Sequence, residues 1–117
     1  MTAQIELSWP AKALSPNARS RTHWKRTRAI AAARKEAWGA TMAVLPPCFK
    51  HNGERVRFLI TAYPPDKRSR DDDNVKASCK AFRDGIAQAM GVDDSLFDER
   101  FQWGEPCKGG KIVVTIA

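Results

Sequence analysis

The sequence predicts an α/β (α+β) fold in a single compact domain, a small mixed β-sheet packed with two helices in the order strand-helix-strand-helix-strand-strand. Three observations lead there. A chain of 117 residues builds one core and little more. Short apolar runs with alternating polarity stand beside longer stretches with helical spacing. Prolines, glycines and charged loops punctuate them.

Ile5, Leu7 and Trp9 alternate as a first strand, ended by Pro10. This opening, "MTAQIELSWP", carries Glu6 and lacks the basic leader and apolar centre of a secretion signal. It reads as a strand of a cytoplasmic protein. "LSPNARSRTHW" follows as a loop with turn chemistry at Pro16-Asn17. An alanine-rich helix is predicted from about Thr22 to Val44, stopped by Pro46-Pro47. Ile30, Ala33, Ala37 and Ala40 form one stripe of it, with Trp24, Ala31 and Trp38 beside. Trp24 suits core packing as well as stacking on a base or sugar, while His23 among arginines reads as a surface side chain.

In the next strand Val56, Phe58, Ile60 and Ala62 share one side, and Arg55, Arg57, Leu59 and Thr61 the other. Pro64-Pro65 ends it before the charged loop "DKRSRDDD". The second helix has the clearest pattern. Val75, Cys79, Phe82, Ile86 and Ala89 follow steps of four, three, four and three, and Gly91 stands where a C-terminal glycine belongs. Phe101 to Trp103 and Lys111 to Ile116 are predicted to close the fold as two strands of a hairpin through "GEPCKGG".

The longest apolar run is far too short to span a membrane. Cys48, Cys79 and Cys107 are odd in number and far apart, so neither a zinc site nor a disulfide framework follows. The net charge of +7 favours polyanionic partners. Its distribution says more. From Arg19 through Arg21, Lys25, Arg26, Arg28 and Arg34 to Lys35 there is no acid until Glu36. Acids gather instead at residues 66–73 and 93–99.

In "RSRDDDNVK" three carboxylates repel one another between cations. In an extended segment Asp71 and Asp73 point together and Asp72 away, and two convergent carboxylates are half of a site for a hard divalent cation. Asp93 or Asp94 offers a third. A helix of some sixteen residues, however, separates the two clusters by roughly 24 Å. The clusters meet if that helix is short or broken, if the chain folds back, or across a subunit interface. The competing reading makes one Asp an N-cap and Asp93-Asp94 turn residues. Lys76 and Lys80, with Arg83 adjoining, share a helical face and suit either a solvated surface or the stabilisation of a phosphoryl group in transfer.

The stretch "PPDKRSRDDDNVKASCKAFRDGIAQAMGVDDSLFDE", with the later "KGG" turn and closing strand, resembles the RusA family of Holliday-junction resolvases of bacteria and their prophages. "LSPNARSRTHW" is similar to the N-terminal loop of its phage-type members. The resemblance covers most of the chain. It rests on an acidic D-x-D-N, a lysine on the following helix and a D-D pair about twenty residues on. It implies a homodimeric, Mg²⁺-dependent endonuclease, with Mn²⁺ as a substitute, that cuts four-way DNA junctions by paired symmetric incisions. On this sequence the metal-binding acids fall on Asp71, Asp73 and Asp94, with Asn74 after them. The lysine of the best-known pattern falls on Ala77; a short insertion moves it to Lys80, and Lys76 is the other candidate. Asp72 stands where an apolar residue is common. Asp93 and Asp72 are secondary candidates for the metal. Arg19, Arg21, Lys25, Arg26, Arg28, Arg68 and Arg70 would hold DNA through its phosphates.

Two other readings compete with a metal-dependent DNA nuclease: a junction-binding protein whose acids are structural caps, and a different phosphoryl-transfer enzyme. The absence of a Gly-rich phosphate loop counts against many versions of the second.

Overall fold

The alternating opening forms β1 (Ala3–Ser8), and the alanine-rich segment forms α1 (His23–Val44). β2 (Val56–Tyr63) follows, then two short helices, α2 (Asp72–Ser78) and α3 (Lys80–Met90). β3 (Phe97–Trp103) and β4 (Lys111–Ile116) complete the chain, with single 3-10 turns at Lys12–Leu14 and Asp94–Leu96. The structure, a computed structural model, describes residues 2–15 and 23–117, and of His23 the backbone alone. Arg19 and Arg21 lie outside the described residues.

The strands form one mixed sheet in the order β1-β4-β2-β3. β3 runs parallel to β2, with Val56 opposite Phe97, while β4 is antiparallel to both β2 and β1. The α/β class and the mixed sheet are therefore as predicted. The hairpin is not: β2 lies between β3 and β4. The reason is visible in residues 104–110, which cross the end of β2 instead of turning back on β3. Gly104 N–H donates to the Ala62 carbonyl and Cys107 N–H to that of Pro64, both at 2.8 Å. β3 also begins at Phe97, four residues ahead of the expected Phe101.

The second helix is broken. Cys79, at φ −90° and ψ 0°, ends α2 and precedes α3. Ser78 Oγ donates to the Asn74 carbonyl at 2.8 Å, a back-bond that bends helices. The buried face nonetheless runs through the break, with Val75, Cys79, Phe82 and Ile86 in the core as predicted, while Ala89, the last of the predicted stripe, is only half-buried. Gly91 closes α3 in the left-handed conformation at φ 71°.

The core lies between this face, the inner side of α1 and one side of the sheet: Ile5, Leu7, Phe58, Ile60, Ile112, Val114 and Ile116. Burying each large apolar side chain is worth about 1.5–3 kcal/mol. Phe58 and Phe97 stack across neighbouring strands with ring centroids 4.5 Å apart. α1 contributes Ala33, Ala37 and Thr41, with Ile30 and Ala40 at the margin. Trp24 and Trp38 remain 52% and 43% exposed, so core packing of Trp24 is not what forms. Only small residues fit here, because α3 approaches too closely. A Cβ at Gly85 would collide with the backbone carbonyl oxygen of Arg34 and sit 3.0 Å from Ala37 Cβ.

This contact makes a prediction. Gly85→Ala should lower the thermal midpoint at a cost of about 1–3 kcal/mol, since a backbone carbonyl cannot step aside. Gly39→Ala, where the new methyl meets nothing within 4 Å, should be neutral or stabilising. Equal midpoints for the two variants in thermal denaturation would refute the close crossing.

Candidate active site

The charged loop folds around Asp66. Its Oδ1 accepts from Arg68 N–H at 2.9 Å and from Arg70 Nη2 at 2.8 Å. Arg70 Nη1 donates to the carbonyls of Asp66 and Arg68, at 3.2 and 3.0 Å, and its guanidinium lies 5.6 Å from the Trp9 ring centroid. With a side chain 15% exposed, Arg70 holds the loop together; Arg68, 81% exposed, faces solvent. The Arg68 amide, and then Arg70, hold the Asp66 carboxyl below the usual range.

The three following acids separate into different roles. Asp71 is the N-cap of α2: its backbone is extended, and its Oδ1 accepts from Asp73 N–H at 2.9 Å. Helix begins at Asp72, so the alternation expected of an extended run stops there. Asp72 Oδ1 accepts the indole N–H of Trp103, at the far end of β3. Asp73 is exposed in the first turn. Asp71 and Asn74 line a cleft of about 340 Å³ together with Trp9, Lys12, Arg70 and Val75. Trp9 and Lys12 are neighbours of the acids that sequence spacing did not reveal. They arrive because β1 ends beside the head of α2.

The second acidic cluster is built differently. Asp93 Oδ1 accepts from Ser95 N–H at 2.9 Å, capping the 3-10 turn, and that bond lowers its pKa. Asp94 Oδ2 lies 3.5 Å from Arg83 Nε, a buried atom without a hydrogen bond, while Arg83 Nη1 reaches Glu99 Oε2 at 2.7 Å. The depressed carboxyls of Asp66 and Asp93 stabilise the fold above an unfolded-state pKa of about 3.9 and lose that contribution as pH falls through their folded values.

Within one chain the clusters do not meet. Asp72 is tied to Trp103, and Asp94 precedes Phe97, so they stand at opposite ends of a strand roughly 20 Å long. Among the described residues no three His, Cys, Asp or Glu side chains converge to hold a metal ion. Asp71, on the cleft, and Asp73, exposed in the first turn beside it, supply oxygen donors of the kind that Mg²⁺ takes. That ion favours oxygen ligands, keeps several waters and needs only one or two carboxylates beside a substrate phosphate.

The cations divide as well. Lys80 Nζ lies 3.2 Å from Asp84, whereas Lys76 is exposed in the last turn of α2. Arg26 Nη1 donates to the carbonyls of Ala13 and Ser15, at 3.2 and 3.1 Å, which fastens the 3-10 turn to α1. Arg28 and Lys25 flank the exposed Trp24 ring, 4.6 and 6.0 Å from its centroid.

Two predictions follow from the Arg83 cluster. Arg83→Leu leaves the part-buried Glu99 without its countercharge and should cost about 1–3 kcal/mol. Adding Glu99→Gln should recover part of that loss in a double-mutant cycle of thermal midpoints, and strict additivity would exclude the coupling. Burial first, and the Glu99 charge second, push the Cys79 thiol up to about 12. At pH 8 the native chain should therefore react with iodoacetamide at the exposed Cys48 and not at Cys79. Peptide mapping that finds alkylated Cys79 in the folded protein would contradict this.

No family model matches the chain. Among curated proteins, an uncharacterized protein of Xylella fastidiosa (strain Temecula1 / ATCC 700964) is 37% identical to it over 123 aligned positions, covering 96% of this chain and 74% of the relative. At that identity and coverage the chain belongs to the same family as this Xylella fastidiosa protein.

Proposed function

We propose that the chain is a Mg²⁺-dependent endodeoxyribonuclease of the RusA type, resolving four-way DNA junctions as a homodimer in the cytoplasm. The observation that carries this reading is the D-x-D-N motif at the head of α2, where Asp71 and Asn74 open on a cleft beside Trp9 and Lys12. No helix among the described residues is long and apolar enough to cross a membrane, in keeping with such a role.

Asp71 and Asp73 would hold the ion, Mg²⁺ or Mn²⁺. When bound, it would activate a water and offset charge on the attacked phosphate. Asp71 keeps its position because its carboxylate also caps α2. Asp72, held by Trp103, stays out of the pair and fixes the head of α2 to the sheet. Lys76 or Lys80 would stabilise negative charge on the phosphoryl oxygens, Lys80 after leaving Asp84. Asp94 would join the pair from a second subunit, since Arg83 holds it at the other end of β3 in its own chain. Lys25, Arg28 and Arg68 would position strands through phosphates without reading sequence.

A second reading is favoured by the caps. Asp71 and Asp93 each bond a backbone N–H two residues on, as structural acids do. A junction-binding protein without nuclease activity would look the same there. One experiment separates the two. A labelled four-way junction incubated with the chain and Mg²⁺ should yield paired nicks. Asp73→Asn should lower the rate at least about 100-fold with an unchanged thermal midpoint. Binding without cutting by the wild type would establish the second reading, and cutting that survives Asp73→Asn would remove Asp73 from the site.

A further inference from the structure

α1 carries a stripe that the core does not use. Trp24, Arg28, Ala31, Lys35, Trp38 and Met42 recur at steps of four, three, four, three and four, and all are exposed. Between this stripe and α3 runs a groove of about 340 Å³, lined by Ala31, Arg34, Lys35, Trp38 and Gln88. Gly85, one turn earlier on α3, lets the two helices meet at the Arg34 carbonyl.

The lining has a distinctive chemistry. It offers an indole face, a guanidinium, an ammonium and a side-chain amide, and no carboxylate. The acid of α1, Glu36, is occupied elsewhere, accepting from Ser8 N–H and Ser8 Oγ at 2.8 Å each. Arg34 Nη2 reaches Gln88 Oε1 at 3.5 Å, a long contact that a stronger acceptor would displace. We infer that this groove is a nucleotide subsite. It takes one unpaired nucleotide of branched or single-stranded DNA, with the base on the Trp38 indole and the phosphate between Arg34 and Lys35. Base stacking on an exposed aromatic is sequence-tolerant, and the cations supply charge-assisted contacts to phosphate. Trp24, with the Arg28 guanidinium over its ring, lies about 21 Å further along the helix as a second platform on the same track.

Charge decides against a second copy of the chain. A two-fold pairing through this stripe would set the cations Arg28, Arg34 and Lys35 of one copy against those of the other, and like charges oppose such a contact. A regular duplex fits poorly for another reason: its base faces are stacked on one another and closed to Trp38.

The inference rests on the DNA-directed function proposed above, so binding is measured without metal and apart from cleavage. In EDTA at low salt, a dye-labelled oligothymidylate and a blunt duplex are titrated with the wild type, Trp38→Leu, Trp38→Phe and Arg34→Ala/Lys35→Ala. Trp38→Leu should weaken oligothymidylate binding about 5- to 100-fold and the duplex by less than about two-fold. Trp38→Phe, which keeps a stacking ring, should retain most of the affinity. Loss of both cations should flatten the salt dependence by about 0.7 in log–log slope, for the one phosphate they hold. Unchanged oligothymidylate binding by Trp38→Leu, an equal loss for both DNAs, or a change in oligomeric state with binding intact would overturn the groove assignment alone. Failure of the wild type to bind any DNA would overturn the nuclease reading with it.

Discussion

Glu99 faces the buried side of the sheet, and the Arg83 guanidinium is what permits it. Its register partner Phe58 lies in the core, so a carboxylate at this position is desolvated unless a cation accompanies it. Arg83 reaches it at 2.7 Å from α3. With that pair in place β3 can run alongside β2 over its full length, from Phe97 to Trp103. The length of β3 in turn fixes the geography of the acids. Its start lies just after Asp94, and its end supplies the indole that receives Asp72. The same arginine thus completes the sheet, restrains Asp94 and sets the distance between the clusters.

The sequence made the fold legible wherever apolar residues kept a period. The bounds of α1, the faces of β2 and the buried stripe of α2 and α3 all follow from spacing. β3 was legible only in its second half, because the residue on its inner face midway is Glu99, and a charge hides the alternation that Phe97 and Phe101 otherwise make plain. The break at Cys79 was hidden for the opposite reason. The apolar spacing continues across it, and the backbone conformation of a single residue leaves no trace in a hydrophobic pattern. The misplaced hairpin reflects a third kind of information. Which edge of β2 each strand takes is decided by contacts of residues 104–110 with Ala62 and Pro64, and turn composition does not encode them.

At the site, the residue types were legible and the partners were not. The expected strand alternation of Asp71 to Asp73 does not form, because helix starts at Asp72: Asp71 caps it, Asp72 meets the Trp103 indole, and Asp73 stands exposed in the first turn. Arg70 was expected to serve DNA, yet its donors go to Asp66 and Arg68. Arg26 likewise serves Ala13 and Ser15. An arginine near an acid can satisfy it, tie a loop or meet a ligand, and only the fold chooses among these. What distinguishes Lys25, Arg28, Arg34 and Lys35 is that, among the described residues, none of them pairs with a carboxylate.

The same reasoning singles out Asp73 among the carboxylates of the two acidic clusters. Asp66 is matched by Arg70, Asp94 and Glu99 by Arg83, and Asp84 by Lys80. Asp71 is stabilised by the amide it caps, and Asp72 by an indole N–H. Asp73 adds a further negative charge to that short turn and, among the described residues, gains no cation in return. Such a charge persists most cheaply in water, and it is the one that a divalent ion would compensate with the least loss of existing contacts. A phosphate approaching this end of α2 meets repulsion until that charge is offset. In the proposed nuclease the basic residues on α1 would concentrate DNA at the surface, but they would not perform this local neutralisation. Attraction over a distance and compensation at the point of contact would then belong to different parts of the molecule, and a cation at Asp71 and Asp73 is what would join them.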